Sequence, residues 1–489
     1  MLNHLKNEAN IAYTENGAVT NASTMSDCLD LFATIGAMRA ADDQEIIRHF
    51  IRAYAENADI AMKILFFGRD ARGGLGERRV FHVILNWLAE NRAESLRKNI
   101  ELIPEFGRYD DLVSLLGTAC ENDALRVIRK QLESDLAPDA EVSLLAKWLP
   151  SVNTSNKEAV RRAKRIAHYL GMSDSEYRKT LVGLRKKLRI IENNLRERDY
   201  SFDYSKQPSK AMFKYRKAFL RNDSDRYHAF LEAVSSGEKQ LHADTLAPYE
   251  IVRAALNASD WGFNTQLTAG EKAALNASWE SLPDFCDNRN AVAVVDTSGS
   301  MYYYNNALPA AVALSLGLYF GERNTGIFHN HFIEFSSRPQ LIEIKGKTFI
   351  ERLEYLCTFN EVADTNVEAV FNLILDAAVR NNVPQEELPE TLYLISDMEF
   401  NSCVRNAALS NFENAKRRFA KHGYKLPQLV FWNVASRNSN QPVKKNEQGV
   451  ALVSGCSPRL FSMVASGELS PYALMTEILN SERYSKISA

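Results

Sequence analysis

The sequence predicts a multidomain protein in which an all-α domain precedes an α/β domain. Between residues 26 and 276, apolar side chains such as Ile46, Phe50 and Tyr54 recur at three- and four-residue spacing, which is the period of amphipathic helices. After residue 287, short apolar runs such as "AVAVVD" and "TLYLIS" alternate with helical stretches. That alternation is typical of a mostly parallel sheet covered by helices. We therefore expect an α-helical domain over residues 1–286 and an α/β domain over residues 287–489.

The helical half predicts several helices of about 12–20 residues joined by short loops, an arrangement that favours a solenoid of helix pairs. One connection, "RDARGGLGERR" at residues 69–79, places four arginines around three glycines. Glycine permits both a tight turn and a close approach of the backbone to a ligand. The segment therefore has two interpretations, a turn between helices and a contact for an anion.

Composition excludes several protein classes. The chain has 489 residues and a formal net charge of -2, and its six cysteines are scattered without a CxxC pair. This pattern favours reduced thiols over a disulfide framework or a zinc site. The N-terminus lacks an apolar signal segment, and no apolar run approaches the roughly 18 residues that span a bilayer. We expect a cytoplasmic protein with no membrane partner.

Oxygen-bearing side chains follow two of the predicted strands. Asp296, Ser298 and Ser300 come directly after "AVAVV", Asp397 follows "TLYLIS", and Thr365 lies in a loop that opens a helix. Ligands bind at the carboxyl ends of parallel strands, and oxygen donors suit a hard cation such as Mg²⁺. The five residues predict a site for Mg²⁺ or another divalent hard cation. Two alternatives remain, namely helix caps and a domain that keeps these residues but binds no metal.

A second charged feature lies between residues 156 and 221. This segment contains nineteen basic and seven acidic residues, which gives a net charge of +12. Tyrosines and phenylalanines are interleaved with the basic residues. Basic groups beside aromatic rings suit single-stranded nucleic acid. The alternative is that the charges are solvated helix faces and the rings are core. The candidate RNA-binding residues are Lys157, Arg161, Arg162, Lys164, Arg165, Arg185, Lys186, Lys187, Lys210, Lys214, Arg216 and Lys217.

The five oxygen donors resemble the metal-ion-dependent adhesion site (MIDAS) of von Willebrand factor A domains, whose pattern is DxSxS, then Thr, then Asp. The resemblance implies that Ser298, Ser300 and Thr365 bind the metal directly, and that Asp296 and Asp397 bind it largely through water. "ILFFGRDARGGLGERRVFHVILNWL", "LIPEFGRYDDLVSLL", "LAKWLPSVNTS" and "YSKQPSKAMFKYRKAFLRND" are similar to the TROVE module of Ro-type ribonucleoproteins, and more similar to a sister family. That resemblance implies a ring of HEAT-like helical repeats closed by an A domain. It also implies that small structured RNAs bind the outer basic face and single-stranded RNA ends bind in the hole.

Two functions follow from these patterns. The first is a non-catalytic, RNA-binding ribonucleoprotein component. The second is an adaptor whose A domain binds an acidic residue of a protein partner through Mg²⁺, with a MoxR-type AAA+ ATPase as one plausible partner. The chain contains no GxxxxGK[ST] phosphate loop, no GxSxG elbow and no metalloprotease spacing of histidines, so we predict that it is not an enzyme.

Overall fold

The chain folds into two compact units. The computed structural model describes residues 1–188, 190–257, 262–286, 290–303, 308–335, 338–359, 365–401, 410–465 and 470–489. The first unit comprises Met1–Asn57 and Pro208–Arg483, and the second comprises Ala58–Gln207 and Tyr484–Ala489. The predicted domain boundary, between residues 286 and 287, falls within the sequence range of the first unit. Residue 287 is outside the described residues. That boundary stays a prediction about the sequence domains.

Helices dominate the chain up to residue 280. In chain order the α-helices of the described residues are α1 (Leu2–Ala9), α2 (Asp27–Thr34), α3 (Asp43–Glu56), α4 (Ala58–Arg69), α5 (Arg79–Asn91), α6 (Ala93–Asn99), α7 (Ile103–Phe106), α8 (Tyr109–Val113), α9 (Glu121–Leu136), α10 (Leu145–Trp148), α11 (Lys157–Tyr169), α12 (Asp174–Lys187), α13 (Ile191–Glu197), α14 (Ser209–Asn222), α15 (Ser224–Ser235), α16 (Pro248–Ala255), α17 (Ala269–Glu280), α18 (Gly299–Tyr303), α19 (Leu308–Arg323), α20 (Phe349–Leu356), α21 (Val367–Asn381), α22 (Asn411–Lys421), α23 (Arg459–Met463) and α24 (Pro471–Leu479).

Within the described residues, eight strands form a hairpin and a mixed sheet. They are β1 (Ile11–Tyr13), β2 (Val19–Asn21), β3 (Ala291–Asp296), β4 (His331–Phe335), β5 (Gln340–Glu343), β6 (Thr391–Ser396), β7 (Gln428–Asn433) and β8 (Val450–Ser454). β1 and β2 pair antiparallel, and the sheet has the order β5-β4-β3-β6-β7-β8. Its pairs are parallel except β4 with β5 at one edge. The prediction of a helical part followed by a mostly parallel α/β sheet is therefore confirmed.

The central strands are buried on both faces, as their continuous apolar runs predict. On one face, Val292 and Val294 of β3 lie in a core cluster with Phe371 of α21 and Phe419 of α22. On the other face, α19 packs so closely that a Cβ on Gly317 would lie 2.4 Å from the Val295 side chain. This packing fixes where the strands end, and the strand ends carry the candidate site.

The second unit is held by a buried aromatic cluster and a buried ion pair. Phe66 makes edge-to-face contacts with Phe81 and Phe106. Arg69 is 3% exposed and its Nε donates to the buried Asp111 over 2.8 Å. These contacts place the first arginine of the glycine-rich connection inside the unit, in agreement with the turn interpretation.

Helices adjacent in sequence contact one another in this unit, including α4 with α5, α8 with α9 and α11 with α12. This agrees with a repeat-like helical part, while the HEAT-like ring stays a prediction. None of the described helices is long and apolar enough to span a bilayer. The cysteines in the described ranges are free thiols, and Cys403 lies outside those ranges.

Candidate metal centre

The carboxyl ends of β3 and β6 bring the two predicted aspartates together. Asp296 is the last residue of β3, and Asp397 directly follows β6. The two strands are parallel neighbours, with Val295 opposite Ile395. Their ends therefore meet at the same edge of the sheet, as the sequence predicts.

Hydrogen bonds link four of the five predicted residues into one chain. The Ser298 backbone N–H donates to Asp296 Oδ1 over 2.9 Å. Ser298 Oγ lies 3.1 Å from Ser300 Oγ, which in turn donates to Asp397 Oδ2 over 2.7 Å. Four of the five residues predicted from the strand ends and the DxSxS pattern are thus joined by hydrogen bonds.

Thr365 is linked to the same edge through its backbone. Its carbonyl accepts a hydrogen bond of 2.9 Å from the N–H of Asn401, four residues beyond Asp397, and the residue is 1% exposed. Metal ligation by its hydroxyl stays a prediction.

Burial gives the site an unusual protonation state. Asp296 and Asp397 are 1% and 2% exposed. Burial and the neighbouring charge of Asp397 raise the pKa of Asp296 to about 7, against a hydrogen bond from Ser396 that lowers it. The raised pKa favours a proton shared within the Asp296–Asp397 pair of the metal-free protein, and a bound cation would compete with that proton.

Sequence reasoning missed a cation at this site. Arg437, four residues after β7, donates from Nη2 to Asp397 Oδ2 over 3.0 Å. Its Nη1 lies 2.7 Å from Oε2 of Glu15, in the turn of the N-terminal hairpin. Glu399 accepts from the Glu15 backbone N–H over 2.7 Å and from Asn438 Nδ2 over 3.0 Å. A position just past the end of a neighbouring strand is a signal that could have found Arg437, whereas the sequence near Glu15 carries none.

The oxygen cluster fits a small hard cation. In an octahedral Mg²⁺ shell with bonds of about 2.1 Å, adjacent oxygens lie about 3.0 Å apart. The 3.1 Å spacing of Ser298 Oγ and Ser300 Oγ, two of the hydroxyls predicted to bind the metal directly, agrees with that edge length. Between the serines and Asp296, the buried Thr297 Oγ1 has no hydrogen-bond partner among the described residues.

Two further observations bear on the site. Within the described ranges, no group of three or more His, Cys, Asp or Glu side chains has the arrangement of a metal site. The five candidate ligands are two carboxylates and three hydroxyls, so they are not a site of that kind. Met398, directly after Asp397, has a φ of 67°, a strained conformation for a residue with a side chain, of the kind that clusters at functional sites.

Helices α11 and α12 of the second unit carry eight of the twelve candidate RNA-binding residues. Several of them are paired: Arg161 and Arg162 with Glu158, Lys164 with Asp174, and Arg165 with Glu121. Arg185 makes internal contacts, donating to the carbonyls of Ala146 and Leu149 and to Ser151 Oγ over 2.7 to 2.9 Å. It therefore stabilises the end of α10.

Helix α14 of the first unit carries the other four candidates. Lys210 pairs with Glu250 and Lys217 with Glu271. Arg216 stacks on Phe213, 4.2 Å from the ring centroid, and burial lowers its pKa. Lys214 lies over the Tyr215 ring. Of the interleaved aromatic residues, Tyr177, Tyr204 and Phe219 are core side chains, as the alternative interpretation of this segment predicts.

The chain belongs to the family described as Domain of unknown function (DUF2828), whose model matches residues 14–136 and 123–287. A second family model, Domain of unknown function (DUF7788), matches residues 290–474. A relative, "Uncharacterized protein L728" of Acanthamoeba polyphaga mimivirus, is 29% identical over 525 residues, which cover 97% of this chain and 90% of the relative. The likeness therefore extends over both the helical part and the α/β part.

Proposed function

We propose that the chain is a non-catalytic binding protein whose first unit contains a von Willebrand A-type domain. In this proposal Asp296, Ser298, Ser300, Thr365 and Asp397 hold Mg²⁺ or a similar divalent cation. The single observation that supports it is the hydrogen-bonded chain from Asp296 through both serines to Asp397. The location of that chain at the carboxyl edge of a mostly parallel sheet supports it further.

The chemistry of this donor set favours an acidic ligand. The three side chains predicted to bind the cation directly are neutral hydroxyls, so an octahedral shell keeps positions for outside oxygens. A bound Mg²⁺ would supply a positively charged position that accepts an outside oxygen. The carboxylate of a partner's Asp or Glu is the ligand that matches that charge. The partner in this proposal is therefore an acidic protein surface, with a MoxR-type AAA+ ATPase among the candidates.

Cation binding by the full-length chain tests the proposal. We expect one Mg²⁺ or Mn²⁺ per chain in isothermal titration calorimetry. Asp397→Ala should weaken binding by about 10- to 100-fold, the usual effect of removing an outer-shell carboxylate. Ser298→Ala is a second variant that removes no charge.

Asp376→Ala is the matched control, because Asp376 lies on α21 with a side chain 54% exposed, paired only loosely with Arg380. It should bind the cation like the unchanged chain. Absence of binding by the unchanged chain, or equal affinity in all four proteins, would contradict the proposal.

RNA binding by the second unit is a second candidate function, supported by exposed basic groups on α11 and α12. Lys157, Lys186 and Lys187 are exposed, and in the part of the chain that the structure describes no carboxylate lies within ion-pair distance of them. Unpaired lysines are free to contact phosphates and release counterions. The paired candidates on the same helices would first have to leave their carboxylates.

The salt dependence of RNA binding tests this second function. Replacing Lys157, Lys186 and Lys187 with Gln should weaken binding to a single-stranded oligouridine and reduce the slope of log K against log salt by about 2. Lys130→Gln is the control, since Lys130 is exposed but lies near Glu101. An unchanged slope in the triple variant would remove these helices as the RNA-binding surface.

A further inference from the structure

We propose that Arg437 is a built-in competitor for the cation and that Glu15 is its alternative partner. In the metal-free site the Arg437 guanidinium neutralises Asp397. When a cation binds, the guanidinium leaves Asp397 and keeps only its ion pair with Glu15. The inference rests on the proposed cation site and adds a regulatory contact to it.

The competition follows from the oxygen that both cations need. Arg437 Nη2 donates to Asp397 Oδ2 over 3.0 Å, and the same oxygen accepts from Ser300 Oγ over 2.7 Å. That oxygen therefore faces the hydroxyls predicted to bind the cation. A guanidinium that contacts this oxygen would lie close to a divalent cation bound by the hydroxyls. The two positive charges would repel each other strongly, because the site is buried. Asp397 therefore has one cationic partner at a time.

Glu15 gives the displaced arginine a place to remain. Its Oε2 lies 2.7 Å from Arg437 Nη1, so the guanidinium bridges two carboxylates and keeps one ion pair when it loses the other. The Arg437 side chain is 18% exposed, and its buried Nε has no hydrogen-bond partner among the residues that the structure describes. Its present position is thus incompletely satisfied, which lowers the cost of moving.

The N-terminal hairpin holds Glu15 in this position. The Glu15 N–H donates to Glu399 Oε2, and Asn438 Nδ2 donates to Glu15 Oε1 over 3.2 Å. On either side, Thr14 Oγ1 donates to the Phe400 carbonyl and Asn16 Nδ2 to the Glu399 carbonyl. The turn between β1 and β2 is therefore docked on the segment that follows Asp397, and its carboxylate couples that turn to cation occupancy.

Mn²⁺ titrations of four full-length proteins test the inference. They are the unchanged chain, Arg437→Gln, Glu15→Gln and the double variant. If Arg437 covers Asp397 in about 90% of metal-free molecules, its removal tightens Mn²⁺ binding about ten-fold. Glu15→Gln should weaken binding, because Arg437 then has Asp397 as its remaining ion-pair partner. The double variant should bind like Arg437→Gln, since Glu15 acts through Arg437.

Two further proteins make the outcome specific. Lys444→Gln is the control, because Lys444 is an exposed positive charge in the segment that follows Arg437. Salt screens such a charge, so the Mn²⁺ affinity should stay within about two-fold of that of the unchanged chain. Arg437→Met replaces Arg437→Gln if the latter lowers the melting temperature into the assay range, because it keeps an unbranched apolar stem without the charge.

The outcomes separate the inference from the site itself. Equal Mn²⁺ affinity in the unchanged chain and Arg437→Gln overturns the inference and leaves the cation site standing. An additive effect of Glu15→Gln in the double variant overturns the role of Glu15. Absence of Mn²⁺ binding in all four proteins overturns the cation site, and the inference with it.

Discussion

Asp296→Asn should stabilise the metal-free protein and weaken its cation binding at the same time. Burial and the charge of Asp397 raise the pKa of Asp296 to about 7 from its ordinary value of 3.8. The unfolded chain therefore loses this proton at a lower pH than the folded chain. Between these two values the ionised carboxylate makes folding progressively less favourable as the pH rises, and the cost is fully present above pH 7. Asparagine has the same shape and carries no charge.

Chemical unfolding in the presence of a chelator measures this effect. At pH 8 we expect Asp296→Asn to raise the free energy of unfolding by at most about 4 kcal/mol, and at pH 4 to leave it nearly unchanged. Calorimetry on the same protein should show Mg²⁺ binding weakened by about 10- to 100-fold. Asp376→Asn, at an exposed position, should have neither effect. A destabilised Asp296→Asn protein at pH 8 would show that the carboxylate is a structural group and not one held for a ligand.

Asp111→Ala should destabilise the second unit by about 3–5 kcal/mol, since it leaves a buried arginine without its counter-charge. Asp111 accepts from Arg69 Nε over 2.8 Å, from the Arg108 backbone N–H over 2.9 Å, and from His82 Nε2 over 2.6 Å. Burial alone would raise its pKa, but the hydrogen bond from His82 and the charge of Arg69 hold the pKa below its usual value. This carboxylate therefore joins α4, α5 and α8.

Thermal and urea unfolding of the full chain measure this loss, with Glu101→Ala as the control. Glu101 makes an exposed contact of 3.5 Å with Lys130, and such pairs contribute at most about 1 kcal/mol. A loss of similar size in both variants would show that the buried network does not stabilise the second unit.

The strand ends could be predicted from the sequence because they obey local rules. A buried apolar run predicts a strand, and the side chains that follow parallel neighbours must meet at one edge. Asp296 and Asp397 are brought together in this way. Arg437 and Glu15 could not be predicted, because their contacts depend on where the N-terminal hairpin docks. Glu15 and Glu399 are 384 positions apart, and no local pattern specifies that pairing.

The net charge of residues 156–221 predicts a binding surface less precisely than the residues at the strand ends predict a site. The +12 segment suggests one basic surface, yet its candidates fall on helices of two units. Arg185 and Arg216 make internal contacts. A composition count cannot distinguish an arginine that caps a helix end from one that faces solvent, because both carry the same charge. The exposed lysines on α11 and α12 are the candidates on which the second proposed function rests.

The most direct test of the cation site is anomalous diffraction from crystals of the full chain grown with Mn²⁺. The proposal predicts one strong peak in contact with Ser298 Oγ and Ser300 Oγ, with Arg437 moved away from Asp397. A saturating Mn²⁺ concentration that gives no peak there, or a peak elsewhere with Arg437 still bound to Asp397, would contradict it.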